Sequence, residues 1–439
     1  MIREITLKNF KSFTDIHFNF LGKNKTPHKL VMIYGANGSG KTNFVELFQF
    51  LEFNCHSLSI QTLISDYLRE QGDEIDAFKL KHLFHQNSMQ SIIQKNKTIG
   101  SKSNMVIEFS FLWCGKIGSY YMEFDDKQIV KERLEYTLAK NRSMFYEITS
   151  SSAKYNSSVF SGSFLSDMKD LKKKYWGKHS LISILGHLMQ TYSAEYARSQ
   201  FNDALAEVLE MFCGMSFRLV GHKSTDRDLG VIDCLLEDYD HGTISVTELD
   251  NLKRTEKLIN EFFTNLYSDI QMAFYEVKPL SGKRLQYALF FRKKLSGKLI
   301  DVKYDLESCG TLGLLELLPH FIAANHDTVA VIDEIDNGIH DYLLKELIES
   351  IAPCIHGQLI FTTHNMLFLE NYDFKDNIYV IDTDADGNKT VKALCDNSFR
   401  IQKSSNVLLN YFEGRFGGMP RMNPEFDFNE VCKYSYPQK

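Results

Sequence analysis

The sequence predicts an α/β fold: a mixed sheet carrying a loop-and-helix unit, an antiparallel subsheet beside it, and an inserted mainly helical region. Three observations predict it. An apolar run at residues 29–34 (KLVMIY) feeds a glycine-rich turn and then a helically spaced segment. A second apolar run, residues 328–333, ends in Asp333 and is followed by a second acid, Glu334. Strand and helix patterns then alternate through the last third of the chain, as in sheets with helical crossovers.

Taken in order, residues 2–7 and 16–20 alternate apolar and polar around a turn-like segment at 9–14, which predicts two paired strands. Residues 42–55 place Phe44, Leu47, Phe48 and Leu51 on one helical face. Four β-like stretches follow at 105–112, 119–124, 129–138 and 143–148, then a Ser-rich boundary at 149–163. From 165 to about 277 the pattern is mainly helical, notably at 194–212 and 247–275. A hairpin at 285–306, a helix at 312–324, strands at 329–333 and 358–363, a helix at 341–351 and a hairpin near 378–394 complete the chain. The expected organisation is an N-terminal lobe at 1–150, a helical insertion at 151–280 and a C-terminal lobe at 281–439.

Composition narrows the function classes. The chain has 439 residues, 44% of them hydrophobic and 24% charged, which fits a globular protein with more than one core. Its net charge of −6 does not indicate nucleic-acid binding by the chain as a whole, although Lys172–Lys174 beside Tyr175 and Trp176 keep local DNA contact open. A solvated helix face is the plainer reading of that run. The 8 Cys include no C-x-x-C pair, which argues against zinc ribbons and disulfide frameworks. The charged opening MIREITLKNFKSF is unlike a secretory leader, and the most apolar stretch, 312–324, is too short to span a bilayer. The expectation is a cytoplasmic protein with no membrane partner.

Gly35-Ala36-Asn37-Gly38-Ser39-Gly40-Lys41-Thr42 fits G-x-x-x-x-G-K-[ST], the Walker A loop. Such a loop turns backbone N–H groups toward phosphate oxygens and aims a helix N-terminus at them. Lys41 is expected to reach the β- and γ-phosphates of ATP, and the Thr42 hydroxyl to ligate Mg²⁺. Asn43 completes the binding stretch. Asp333 would hold the metal's water shell and Glu334 would polarise the attacking water. Ser308-Cys309-Gly310 at a helix start offers a further anion site, through Ser308, Gly310 and free N–H groups, against the alternative of ordinary N-capping. His364, in Thr-Thr-His-Asn after the next strand, stands where an imidazole could meet the γ-phosphate. The acidic run from Asp382 to Gly387 lacks the twelfth-position Glu of an EF-hand, having Ala393 there, and reads as a hairpin turn.

The order of these motifs resembles the ABC-class ATPase heads shared by SMC, RecF and OLD proteins. MIREITLKNFKSF resembles their opening strand, GANGSGKTN their Walker A, and ESCGT a degenerate signature motif with Cys309 as a departure. DEIDNGIH, ending at His340, resembles Walker B running into the D-loop, and FTTHN the switch-histidine motif. Gln86 and Gln90 are spacing candidates for a Q-loop. The tail NYFEGRFGGMP is similar to that of compact bacterial ATPases of mobile defence islands, among them the PARIS (AriA-type) and abortive-infection ATPases. The resemblance implies catalytic Glu334 and His364, and ATP sandwiched between the Walker motifs of one subunit and Ser308 of another. It also implies a homodimer or larger homo-oligomer, a separate effector encoded nearby and a phage-encoded trigger. A RecF-like DNA-repair ATPase and a slowly hydrolysing nucleotide-gated scaffold stay open as alternatives.

Overall fold

The computed structural model describes residues 1–71, 87–220, 235–394, 406–420, 423 and 425–435. In chain order its strands are β1 (Ile2–Phe10), β2 (Phe13–Asn19), β3 (Leu30–Gly35), β4 (Met105–Trp113), β5 (Lys116–Phe124), β6 (Ile129–Leu138), β7 (Asn141–Thr149), β8 (Ala153–Tyr155) and β9 (Ser216–Arg218). There follow β10 (His241–Ser245), β11 (Ile270–Pro279), β12 (Arg284–Leu295), β13 (Lys298–Lys303), β14 (Val329–Ile332), β15 (Gln358–Thr362), β16 (Ile378–Thr383) and β17 (Lys389–Ala393). The helices used below are α1 (Lys41–Gln71), α2 (Met89–Asn96), α3 (Gly162–Tyr175), α4 (Leu181–Thr191), α5 (Ala194–Gln200), α6 (Asp203–Cys213), α7 (Leu249–Leu266), α8 (Cys309–Asn325) and α9 (Asp341–Ile351).

Among the described residues the strands form three sheets, and the architecture is α/β. The central sheet runs β17-β16-β3-β15-β14-β9, parallel from β16 to β9 with β17 antiparallel at one edge. β3, β14 and β15 are buried on both faces, which is why they read as continuous apolar runs. Within β3, Val31 and Ile33 enter one core while Leu30, Met32 and Tyr34 enter the other. The first core lies under α1, α4, α6 and the antiparallel sheet β2-β1-β4-β5-β6-β7-β8. The second lies under α8, α9 and a sheet in which β12 pairs with β11 along one side. Along its other side β12 pairs with β10 and then β13.

The structure departs from the sequence reading in several places, among them the strand β10 inside the stretch expected to be helical. Helix α1 continues past 55 to Gln71. The extension docks on α4: Ser57 Oγ and the Leu58 N–H both donate to Ser183 Oγ. The helix expected at 247–275 stops at Leu266, and Ile270–Pro279 is a strand instead. Its Phe274, Tyr275 and Val277 pair along β12, where tertiary context and β-propensity agree. The helix expected at 194–212 is two, interrupted where Phe201 bridges Phe160 and Asn202 caps α6 by accepting from Ala204 N–H. Ser216–Arg218, inside the expected helical stretch, is the edge strand of the central sheet, too short to show a period.

Candidate functional site

The carboxyl ends of β3, β14 and β15 bring three sequence motifs together. Beyond β3 the loop 35–40 turns into α1, whose first turn closes with Phe44 N–H donating to the Gly40 carbonyl. Gly40 has φ +103°, and a Cβ there would lie 2.8 Å from the Phe13 ring, so the position is closed to other residues. Nothing stands within 4 Å of the Cβ position of Gly38, which faces outward. Asn37, Gly38 and Thr42 are exposed, Asn43 is half-buried and Ser39 is buried. The Ser39 hydroxyl has no hydrogen-bond partner among the described residues.

Lys41 is buried and donates to the carbonyls of Gly35 (2.7 Å) and Ala36 (3.2 Å). Burial pushes its pKa down, while the carboxylates of Glu334, Asp333 and Asp336 pull it back up. These three acids therefore share one electrostatic environment with the loop lysine. The Asp333 side chain is 1% exposed and accepts a 2.8 Å bond from the Thr362 hydroxyl at the end of β15. The same hydroxyl accepts the Glu334 N–H at 2.7 Å, and the Thr362 carbonyl accepts the Ile335 N–H. Glu334 itself holds φ +41°, a conformation that costs a non-glycine residue about 1–2 kcal/mol. Such strain persists where the surroundings over-determine it and clusters at functional sites.

His364 is exposed, and its backbone N–H donates to both oxygens of Asp336, at 3.1 and 3.3 Å. Asn365 caps the following turn through Leu367 N–H, donates to the Asp341 carbonyl, and offers its own carbonyl to the buried Tyr34 hydroxyl at 2.7 Å. The segment carrying His364 is thus tied to β3 and to the start of α9. His340 caps α9, its Nδ1 accepting from Tyr342 N–H.

Ser308 and Gly310 stand elsewhere. Ser308 is the N-cap of α8: it is exposed, accepts from Thr311 N–H and exchanges a hydrogen bond with the Thr311 hydroxyl. A Cβ on Gly310 would lie 3.0 Å from the Gly338 carbonyl, so this helix start abuts the segment following Asp336. No described hydrogen bond joins Ser308 to the loop at 35–42. Gln86 lies outside the described residues. Gln90, on α2, lines a cleft with Gln61, Lys178 and His179 that contains no residue of that loop. The acidic hairpin turn is tied by Asp384, which accepts from the N–H groups of Asp386 and Asn388.

The donor set fits a magnesium nucleotide. A cradle that a Cβ would fill at Gly35 and Gly40, an orphaned Ser39 hydroxyl and an exposed Thr42 hydroxyl line the loop. One hydroxyl and one carboxylate, with phosphate oxygens and waters, suffice for Mg²⁺. Four contributors carried too little signal to be found from sequence: Asp336, the Thr362 hydroxyl, Ser12 and Lys389. The last two meet at the loop, where Asn43 donates to Ser12 Oγ at 2.6 Å and Lys389 donates to Ser12 and, at 2.9 Å, to the Gly38 carbonyl.

Residues 291–370 match the family model described as AAA domain, putative AbiEii toxin, Type IV TA system. That segment is AAA-like. It spans Ser308, Asp333, Glu334, Thr362 and His364, and the glycine loop lies outside it. No curated protein matches the chain. Similar solved structures include an SMC head bound to the C-winged helix domain of ScpA, at 14% identity over 89% of this chain and 96% of that one, with TM-score 0.43. The SMC head domain from Thermotoga maritima is 15% identical over 89% and 98% of the two chains, with TM-score 0.37. An Smc head with an extended coiled coil, bound to the C-terminal domain of ScpA derived from Pyrococcus furiosus, is 14% identical over 89% and 95%, with TM-score 0.38. Among the described residues no helix is long and apolar enough to cross a membrane.

Proposed function

We propose that this chain is an ABC-class ATPase that binds and hydrolyses ATP with Mg²⁺, closes into a homodimer or larger homo-oligomer around the nucleotide, and regulates a separate effector in anti-phage defence. The observation that carries the ATPase reading is the convergence of Glu334, Asp333 and Asp336 on Lys41, with one Thr362 hydroxyl fixing both Asp333 and the Glu334 backbone. Lys41 would exchange the Gly35 and Ala36 carbonyls for phosphate oxygens. Thr42 and Asp333 would hold the magnesium ion, which supplies positive charge between the β- and γ-oxygens. Glu334 would accept a proton from the attacking water, and His364 would orient the γ-phosphate end.

The sandwich reading is supported by the exposure of Ser308 and by its bonding, among the described residues, within its own helix turn. A free helix N-terminus that does not serve its own loop is available to a second copy. The lobes at 1–150 and 281–439, with 151–280 inserted between them, are the organisation proposed for this head. The defence role rests on the tail and motif resemblance, supported by the AbiEii-type description of the matched family.

The ATPase reading is tested by Mg·ATP turnover of the wild type against Glu334→Gln. The expected result is retained binding with turnover reduced by about 10²–10⁴-fold, the range for loss of a general base. Undiminished turnover would remove Glu334 from that role. Co-purification of the chain with the product of a neighbouring gene, gained or lost with ATP, tests the regulatory part.

A further inference from the structure

The β16–β17 hairpin lies beside the glycine loop. In β16, Ile381 pairs with Gly35, and the chain returns through the turn at Asp384 so that Lys389 opens β17 opposite Thr383. Lys389 is 8% exposed and faces inward, whereas Thr390 and Lys392 on the same strand are exposed. Its ammonium lies 5.6 Å from the centre of the Phe13 ring, donates to Ser12 Oγ and donates to the Gly38 carbonyl. Ser12 in turn accepts from Asn43 on the first turn of α1. Three separate elements thus deliver polar groups to one side of the loop.

The charge on Lys389 is not explained by these contacts. Two neutral oxygens could be satisfied by any buried donor, and a buried ammonium costs several kcal/mol unless a counter-charge meets it. Among the described residues no carboxylate forms an ion pair with Lys389, and burial alone lowers its pKa with no acid opposing. Lys41 differs, because three carboxylates act on it. The two lysines therefore stand in different surroundings: Lys41 in the field of three acids, Lys389 beside Ser12, which Asn43 also bonds. An ammonium carries three donors, and Lys389 uses two of them within the protein.

Resting on the nucleotide reading above, we infer that Lys389, held by Ser12 and Asn43, is a second phosphate-binding cation. It contacts the α-phosphate end of a nucleoside di- or triphosphate, while Lys41 contacts the β- and γ-phosphates. A group at that end meets ADP and ATP alike, so it sets nucleotide affinity and not the discrimination between them.

The test is calorimetric titration of Mg·ATP and Mg·ADP into the full chain, comparing wild type with Lys389→Met, Lys389→Arg and Ser12→Ala. Loss of one charge-assisted hydrogen bond predicts that Lys389→Met weakens both nucleotides by a similar factor, about 10- to 100-fold. Lys389→Arg retains most of the affinity, and Ser12→Ala shifts it in the same direction by less. Without nucleotide, Lys389→Met is expected to melt at or above the wild-type temperature, because it removes an uncompensated buried charge. A purely structural lysine would show the opposite pattern, with lower stability and unchanged affinity. Wild-type binding combined with Lys389→Met affinity within about twofold, or a loss confined to ATP, would overturn this inference alone. Should Lys389→Met not fold, an unaltered affinity in Ser12→Ala would overturn it. A wild-type chain that binds neither nucleotide would overturn the underlying ATPase reading and this assignment with it.

Discussion

The Thr362 hydroxyl, at the carboxyl end of β15, donates a 2.8 Å hydrogen bond to the Asp333 carboxylate at the end of neighbouring β14. Because it also accepts the Glu334 N–H, one oxygen sets both acids that the site needs. Thr362→Val keeps the shape and removes that oxygen, leaving a buried N–H and a carboxylate oxygen without their partner. The expected result is a stability loss of about 1–3 kcal/mol and a larger fall in hydrolysis than in nucleotide binding. Denaturant unfolding alongside separate turnover and binding measurements checks this. Equal losses in binding and turnover would show that Thr362 only supports the fold.

Lys41 is buried, donates to the Gly35 and Ala36 carbonyls and lies in the field of Glu334, Asp333 and Asp336, so its charge is poised for a ligand. Lys41→Met is expected to reduce ATP affinity by about 10- to 100-fold. It should also shrink the rise in melting temperature that saturating Mg·ATP gives the wild type. Thermal melts with and without Mg·ATP provide the readout.

A pH effect follows from His179. Burial lowers its pKa from 6.5 to about 4. The ring is held neutral, with Nε2 facing Gln61 Oε1 at 2.7 Å and Nδ1 facing Ser57 Oγ at 3.0 Å. In the unfolded chain this ring takes a proton below about pH 6.5, while the folded chain resists protonation until about pH 4. The unfolded state therefore binds more protons across that window, and stability falls as pH drops through it. The contribution is full above pH 6.5 and amounts to about 3 kcal/mol at most. His179→Gln should flatten the slope of unfolding free energy between pH 6.5 and 4, measured by urea denaturation at a series of pH values.

How much of this was legible in sequence depends on whether a residue's role is local. The loop 35–42 declares itself because glycine spacing, the preceding strand and the following helix are all contiguous. The positions of Asp333, Glu334 and His364 beyond strand ends are readable because each follows an apolar strand buried on both faces. Lys389 was not, since an exposed hairpin and an inward lysine have the same alternation until the facing loop is known. Thr362 looked like one more strand residue, and its hydroxyl acquires meaning only from the parallel register of β14 and β15. The strand at 270–279 escapes the sequence pattern for a related reason: Ile270 and Ala273, three apart, also suit a helix that continues from α7, and pairing with β12 decides for the strand.

The tail pair Gly417-Gly418 packs on Asp382 and Val380, and Gly418 reaches Gly35 at the start of the glycine loop. Gly418 has φ +69°, its N–H donates to Asp382, and the Tyr411 hydroxyl donates to its carbonyl. A Cβ at Gly418 would lie 2.4 Å from Val380 Cγ1 and 3.3 Å from the Gly35 Cα. Gly418→Ala should therefore cost about 1–3 kcal/mol in backbone strain alone. By crowding Gly35 it should also weaken ADP binding. Urea unfolding and ADP titration check the two effects, and an alanine variant with wild-type affinity would separate the tail from the loop.

Closure of two copies over the nucleotide is the step on which the proposed role of Ser308 depends. Sedimentation of Glu334→Gln with and without saturating Mg·ATP measures this. The predicted result is a species of at least twice the single-chain mass with Mg·ATP, reverting to one chain when Ser308→Arg is added. A single-chain mass at saturating nucleotide, or an assembly indifferent to Ser308→Arg, would contradict it.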